Sequence, residues 1–215
     1  MRRNSFVAVA AAAIAVAVAA SLQAQSLDGR PIQLGLMGGL TSPTGNLSTS
    51  VNHAGNAGAL VTIGTPVPHL RFRVDGQWQQ MAGRTYDPSL ACVGCGGGYT
   101  QRSYRMFDAT ANVVYGGSVA KPLNLYVIGG VGLYDLRLTS AHHEGELVAS
   151  GASSATRFGF NGGVGASVRM GHVATFVEAR FHQLVGRPSF TSDGFYQAGL
   201  PGPFQFVPVS VGVVF

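Results

Sequence analysis

The sequence predicts an all-β protein: an eight-stranded antiparallel up-and-down transmembrane β-barrel, preceded by a cleaved signal peptide. Three observations carry this prediction. The chain begins with a charged and then apolar segment, later segments repeat a period-2 alternation of apolar and polar residues, and the connections between them alternate in length. After the start, no segment has 18 or more consecutive apolar residues, which excludes a bundle of membrane-spanning helices.

The first 24 residues have the pattern of a secretory signal peptide. Arg2 and Arg3 precede an uncharged, alanine-rich run that ends at Ala20, and a short polar stretch follows. The apolar run is shorter than the roughly 20 residues that a spanning helix needs. We expect cleavage after Ala24, so that residues 1–24 are the signal peptide and residues 25–215 form one barrel domain. An uncleaved inner-membrane anchor is the alternative.

Eight later segments alternate between apolar and polar residues, bounded by glycine, proline, serine and asparagine clusters. In the third segment Phe72 and Val74 share one parity, while Arg73 and Asp75 share the other. Most segments reach the 9 to 11 residues with which a tilted strand crosses the hydrocarbon layer. The predicted strands are residues 32–41, 55–64, 70–80, 107–115, 123–138, 157–170, 173–185 and 205–215.

The connections between these strands alternate between short and long. Residues 65–68, 116–122 and 171–172 read as tight turns, whereas residues 42–54, 82–103, 139–155 and 186–204 read as long loops. Short turns at one rim and long loops at the other are typical of outer-membrane barrels, in which both chain ends lie on the periplasmic side.

Alternation alone does not show which face points outward, but the polar parity carries small residues that suit a narrow interior. If Gly171 and His172 form a two-residue hairpin turn, Met170 faces Val173. By the same register Glu178 faces Gly165, Arg180 faces Gly163 and His182 faces Asn161. Each bulky polar group then meets a small or amide partner, which favours polar residues inside. Four tyrosines are expected in the interfacial girdles: Tyr104, Tyr115, Tyr126 and Tyr134.

Charged residues on the polar parity are the candidate site. They are Arg71, Arg73, Asp75, Asp108, Arg157, Arg169, Glu178, Arg180 and His182. Charges in a narrow interior are costly unless they are paired and hydrogen-bonded, so we expect a salt-bridge network that plugs the lumen. A permeation path lined by the same residues is the alternative, although eight strands leave little space for an aqueous channel.

Two groups in the long connections are candidates for other chemistry. Cys92 and Cys95 are expected to form a local disulfide, with a zinc or redox motif as the alternative; a structural zinc site usually takes four ligands, and the chain has no second cysteine pair. His142, His143, Glu144 and Glu146 offer imidazole and carboxylate ligands for a transition metal, or are a solvated loop.

The final strand resembles the C-terminal strand that the outer-membrane insertion machinery reads. It ends on Phe215, with Val213 and Val211 at alternating positions before it, but it carries Ser210 where that signal commonly has glycine. Together with residues 38–45, 129–134 and 176–181, it makes the chain resemble the small outer-membrane barrels of the OmpA-domain, OmpX and opacity-protein type. The resemblance implies an integral outer-membrane barrel with a structural or surface-interaction role in envelope integrity or adhesion.

The sequence does not predict an enzyme, because no nucleophile, base and acid share a strand face. The first alternative is a small porin-like channel. The second, ranked below it, is a lipid-modifying enzyme with His182 and Glu178 as its candidate residues. Expected partners are outer-membrane lipids, the barrel-insertion machinery and extracellular ligands of the long loops. The formal charge of +5, or +3 without Arg2 and Arg3, does not indicate nucleic acid. We expect a monomer and no cofactor.

Overall fold

The computed structural model describes residues 32–49, 51–83, 100–120, 122–143, 146–186 and 203–215. Within them, eight strands form one closed antiparallel barrel, in which β1 also pairs with β8. The strands are β1 (Ile32–Thr44), β2 (Ala54–Gly64), β3 (Leu70–Met81), β4 (Thr100–Ala120), β5 (Leu123–His143), β6 (Glu146–Met170), β7 (Val173–Leu184) and β8 (Gln205–Val214). Closure lets every strand of the wall pair on both sides, as a barrel in lipid requires.

The two ends of the barrel differ. The connections β2–β3, β4–β5 and β6–β7 lie at one end, called here the short-turn end, together with the start of β1 and the end of β8. The strand ends that the other connections join lie at the opposite end, called here the long-connection end, where the 3-10 helix Gly45–Thr49 follows β1. The predicted signal peptide lies outside the described residues. In the part of the chain that the structure describes, no helix is long and apolar enough to cross a membrane.

The predicted register of the β6–β7 hairpin is confirmed. Met170 pairs with Val173, and Glu178, Arg180 and His182 pair with Gly165, Gly163 and Asn161. Gly171 has a φ of 63°, the left-handed conformation that glycine adopts readily in a two-residue turn. The turn length therefore fixes which residues of β7 face the interior.

Polar residues face inward and apolar residues face outward, as predicted. On β3, Arg73 and Asp75 are buried, while Phe72 is exposed. The same inversion holds on other strands, where the exposed outer residues include Leu36, Val113, Val131, Phe158, Val177 and Val211. A water-soluble barrel would place these side chains inside, so this outer wall is suited to hydrocarbon.

The apolar outer wall ends at a defined level toward the long-connection end. Trp78 on β3 pairs with Phe107 on β4, and two residues further along Gln80 meets Arg105. Arg105 in turn pairs with Arg137 on β5, whose guanidinium lies 2.8 Å from the Asp135 carboxylate. The change from aromatic to charged side chains within two residues marks the boundary between hydrocarbon and headgroups.

The central strands are longer than predicted, so three of the predicted connections were wrong in extent. Residues 139–143 and 146–155 form the outer parts of β5 and β6, which pair as far as His143 with Glu146. β4 spans Thr100–Ala120 and so takes residues from both flanking connections. Strand beyond the hydrocarbon needs no apolar face, so period-2 alternation does not report it.

The predicted tyrosine girdle was wrong for three of its four members. Tyr104, Tyr126 and Tyr134 are buried inside the barrel, and Tyr115 alone of the four is exposed on the outer wall, at 56%. Tyr104 shares its parity with the inward Asp108, and Tyr115 shares the opposite one. Parity, rather than residue type, decides the side of the wall.

The lipid-facing wall makes a testable prediction. Val164 lies near the middle of the membrane-crossing part of β6 and is 60% exposed, so Val164→Arg should lower the free energy of unfolding by about 2 kcal/mol in lipid vesicles. The matched control is Val119→Arg near the end of β4, where the side chain is 68% exposed and the expected change is near zero. Urea unfolding of both variants measures the difference; equal effects would contradict the outer wall as assigned.

Candidate functional site in the barrel lumen

Four buried charged residues form a closed ring of ion pairs across the lumen, called here the ionic ring. Arg73 and Asp75 come from β3, while Glu178 and Arg180 come from β7. Arg73 Nη1 lies 2.8 Å from Glu178 Oε2, and Arg180 Nε lies 2.8 Å from Glu178 Oε1. Asp75 accepts from Arg73 Nε and, at 3.0 Å, from Arg180 Nη1. Each arginine therefore contacts both carboxylates, and the charges balance.

The ionic ring spans the barrel from one side to the other. In a closed barrel of eight strands, β3 and β7 are four strands apart in either direction and so lie opposite each other. Residues i and i+2 of a strand point to the same face, which is why each strand supplies one arginine and one carboxylate at neighbouring levels. The ring is a cross-brace between the two halves of the wall.

Neutral groups complete the coordination of the two carboxylates. Asn112 Nδ2 donates to Asp75 Oδ2 at 2.6 Å, and the Tyr126 hydroxyl donates to Glu178 Oε2 at 2.9 Å. The guanidinium of Arg73 lies over the Phe176 ring, 5.2 Å from its centroid. Buried charges need this saturation of hydrogen bonds, because an unpaired charge in a low dielectric is strongly unfavourable.

Glycines on the wall make room for the large side chains of the ring. A Cβ at Gly163 would overlap the Arg180 side chain, and a Cβ at Gly165 would overlap the Tyr126 ring. The paired positions thus combine one large and one absent side chain, as the sequence predicted for a narrow interior.

A polar layer lies between the ionic ring and the long-connection end. Gln79 Nε2 donates to Asp108 Oδ2 at 3.1 Å, and His182 Nδ1 lies 2.9 Å from the Tyr134 hydroxyl. Buried polar atoms without a protein partner are concentrated in and beside this layer: Gln77 Oε1, Gln79 Oε1, Asp108 Oδ1, Asn112 Oδ1, both amide atoms of Asn161, and His182 Nε2. Within the described residues this is the part of the lumen whose hydrogen bonding is least complete.

An apolar cluster, called here the apolar cap, fills the lumen at the long-connection end. Its buried members are Leu47, Val51, Ala54, Met81, Tyr104, Met106, Tyr134, Leu136, Ala155, Leu184, Phe204 and Phe206. Leu47 belongs to the 3-10 helix and Phe204 precedes β8, so two connections contribute to the cluster. The Phe206 ring stacks on His182 with 4.8 Å between centroids.

Sequence reasoning missed the apolar cap, although a signal for it exists. Met81 shares the inward parity of Gln79, and Tyr104 and Met106 share that of Asp108. Apolar residues on the polar parity near the same end of several strands indicate an apolar layer inside the barrel.

The short-turn end of the lumen is open and forms a cavity of about 750 Å³, called here the vestibule. Its lining includes Arg71, Arg73, Arg169, Tyr126 and Phe176. Apolar parts of its wall come from Leu60, Val114 and Val214. The vestibule stops at Arg73, where the ionic ring begins.

The structure brings some of the predicted site residues together and places others elsewhere. Arg73, Asp75, Glu178 and Arg180 form the ring, and Asp108 and His182 lie in the polar layer. Arg71 and Arg169 line the vestibule, and Arg157, opposite Tyr134, is half-buried toward the other end. Val211 and Val213 are exposed on the outer wall of β8, and Phe215 is exposed directly after it. Cys92, Cys95 and Glu144 lie outside the described residues, as do the side chains of His142, His143 and Glu146.

Comparisons with known proteins show the fold. No protein-family model matches the chain, and no curated protein matches it in sequence. Among solved structures, Neisserial surface protein A matches with a TM-score of 0.54 and 13% identity, covering 86% of this chain and 96% of that one. A major outer membrane protein from Thermus thermophilus gives 0.54 and 11%, covering 86% and 99%. The outer membrane protein OprG from Pseudomonas aeruginosa gives 0.52 and 12%, covering 85% and 95%.

Proposed function

We propose that this chain, which has the fold of small bacterial outer-membrane β-barrels, is an integral outer-membrane barrel with a closed lumen. The mature protein in this proposal is residues 25–215, after removal of a signal peptide. In this proposal it serves envelope integrity or surface interaction, such as adhesion, rather than transport or catalysis. The short-turn end then faces the periplasm, and the long-connection end faces outward.

The observation that carries the proposal is that two independent layers cross the lumen. The ionic ring braces its middle with buried charges, and the apolar cap fills its outer end. Water and ions would have to pass a saturated set of ion pairs and then a dry cluster of aromatic and aliphatic side chains. A lumen with these two layers favours a structural barrel over a pore.

The outer end of the barrel supports an interaction role. β4, β5 and β6 have 21, 21 and 25 residues, against 10 to 13 for the other strands. β5 and β6 remain paired through Ser140, Ala141 and His142 up to the tip at His143 and Glu146. A hairpin held beyond the membrane by its own backbone ladder offers a rigid surface to a partner.

The lipid-modifying alternative is disfavoured by the position of His182, the base that it would use. His182 is fully buried, bonded to Tyr134 and stacked on Phe206 inside the closed lumen. A lipid substrate lies outside the barrel wall, so its reacting bond does not reach the imidazole.

We expect the purified protein to show no stepwise conductance in planar bilayers at about 1 M KCl, with a known porin inserted in parallel as a positive control. The physical reason is that the ring and the cap leave no continuous aqueous path, and an eight-stranded barrel is only just wide enough for its side chains. Regular single-channel steps whose ion preference changes in an Arg180→Gln variant would contradict the closed lumen and establish the channel alternative.

A further inference from the structure

We propose that the vestibule is a binding site for a soluble anion that carries a short apolar group, such as an alkyl phosphate or alkyl carboxylate. The vestibule holds about 750 Å³, within the range of roughly 300–1,000 Å³ that is usual for small-molecule sites. The proposal concerns a ligand taken up from the periplasmic side, and it does not depend on whether the protein acts in adhesion or in envelope structure.

The lining charges of the vestibule all have one sign. Among the described residues that line it, Arg71, Arg73 and Arg169 carry guanidinium groups, and none is an aspartate or glutamate. Arg71 is the second residue of β3, and Arg169 is the next-to-last residue of β6, so both lie at the rim. A cleft of one sign with low-dielectric walls focuses its field and attracts the opposite charge. Guanidinium groups match carboxylate and phosphate in bidentate geometry.

The wall of the vestibule is partly apolar. Leu60 and Val114 are buried, and the Phe176 ring carries the Arg73 guanidinium on its face. Thr62 and Ser167 are polar members of the same lining. Arg73 lies at the inner end of the vestibule, and Arg71 and Arg169 are the first cationic groups in its lining that an entering anion meets. Arginines at the rim and apolar side chains on the wall fit a ligand with one charged and one apolar end, and the ionic ring closes the inner end of the vestibule.

The apolar wall indicates a soluble ligand rather than a lipid of the bilayer. The acyl chains of a membrane lipid stay outside the barrel, so a lipid can present its headgroup at the rim but cannot fill the interior between Leu60 and Phe176. A soluble molecule with a short alkyl group can place both of its ends inside.

The test uses the full mature protein in phosphatidylcholine nanodiscs, titrated by calorimetry with hexyl phosphate, inorganic phosphate and hexanol. We expect saturable binding of hexyl phosphate and at least tenfold weaker binding of the other two. The double variant Arg71→Gln/Arg169→Gln should weaken hexyl phosphate binding at least tenfold. The control Arg105→Gln/Arg137→Gln removes the same charge from the outer wall at the other end and should bind like the unmodified protein.

Three results would overturn the proposal. If both double variants lose the same affinity for hexyl phosphate, the effect comes from net charge and not from the vestibule. If inorganic phosphate binds as tightly as hexyl phosphate, the alkyl group contributes nothing; if hexanol does, the anionic group contributes nothing. Competition by anionic lipid added to the nanodiscs would identify a bilayer headgroup as the occupant. Thermal unfolding of each variant in the same nanodiscs verifies that it is folded, and the bilayer conductance result is independent of all three.

Discussion

Glu178→Leu is expected to lower the free energy of unfolding by about 3–5 kcal/mol, the usual effect of removing one partner from a buried ion pair. Leucine fills a similar volume but leaves Arg73 and Arg180 with one carboxylate between them, and it removes the acceptor of the Tyr126 hydroxyl. Thermal unfolding in detergent, followed by loss of the compact band on a gel, measures the change. The outward neighbour Val177→Leu serves as the control and should unfold like the unmodified protein.

A second variant separates charge balance from packing. Adding Arg73→Met to Glu178→Leu removes one arginine with its carboxylate and leaves Asp75 paired with Arg180. Methionine also suits the site, because Arg73 already contacts the Met37 sulfur. We expect the double variant to recover about 1 kcal/mol or more relative to Glu178→Leu alone. If Glu178→Leu unfolds at the same temperature as the unmodified protein, the ionic ring does not contribute to stability.

Gly165→Val is expected to destabilise the barrel by roughly 3 kcal/mol, from overpacking and from loss of a charged hydrogen bond. The new side chain would occupy the space of the Tyr126 ring, which must then withdraw its hydroxyl from Glu178. Gly162→Val is the matched control, since that glycine faces outward and the nearest atom to its added Cβ is 3.9 Å away.

For the control we expect a change within about 0.5 kcal/mol. Urea unfolding in vesicles compares the two variants, and circular dichroism confirms that each forms a barrel. If both glycine variants unfold alike, the close packing of Gly165 against Tyr126 does not matter for stability.

Turn length and strand parity in the sequence were enough to predict the hairpin register and the inward-facing residues, because both depend only on neighbouring residues. The two-residue turn at Gly171 fixed the register of β6 and β7, and strand parity placed Arg73, Asp75, Glu178 and Arg180 inside. The pairing between those charges was beyond the sequence, because it joins strands on opposite sides of a closed barrel. Which levels of β3 and β7 meet depends on how all the intervening strands are staggered.

Other features were missed because the sequence carries little signal for them or because residue type was given more weight than strand parity. The outer parts of β5 and β6 lie beyond the hydrocarbon, where alternation is not needed, so the sequence predicts a loop at Ser140 and Ala141. Residue type predicts an interfacial position for Tyr126 and Tyr134, whereas their strand parity places them inside. The tyrosine prediction was wrong because it used residue type where strand parity already determines the side of the wall.

The ionic ring also bears on how the chain reaches its final state. Arg73 and Asp75 lie 105 residues before Glu178 and Arg180, respectively, so β3 lacks its cross-lumen partners until β7 has joined the wall. A partly assembled sheet without β7 would carry a neutral but half-satisfied pair of charges. The stabilisation that the ring supplies therefore arrives only when the barrel is nearly complete, and we expect partly assembled sheets to be less stable than their number of strands alone suggests.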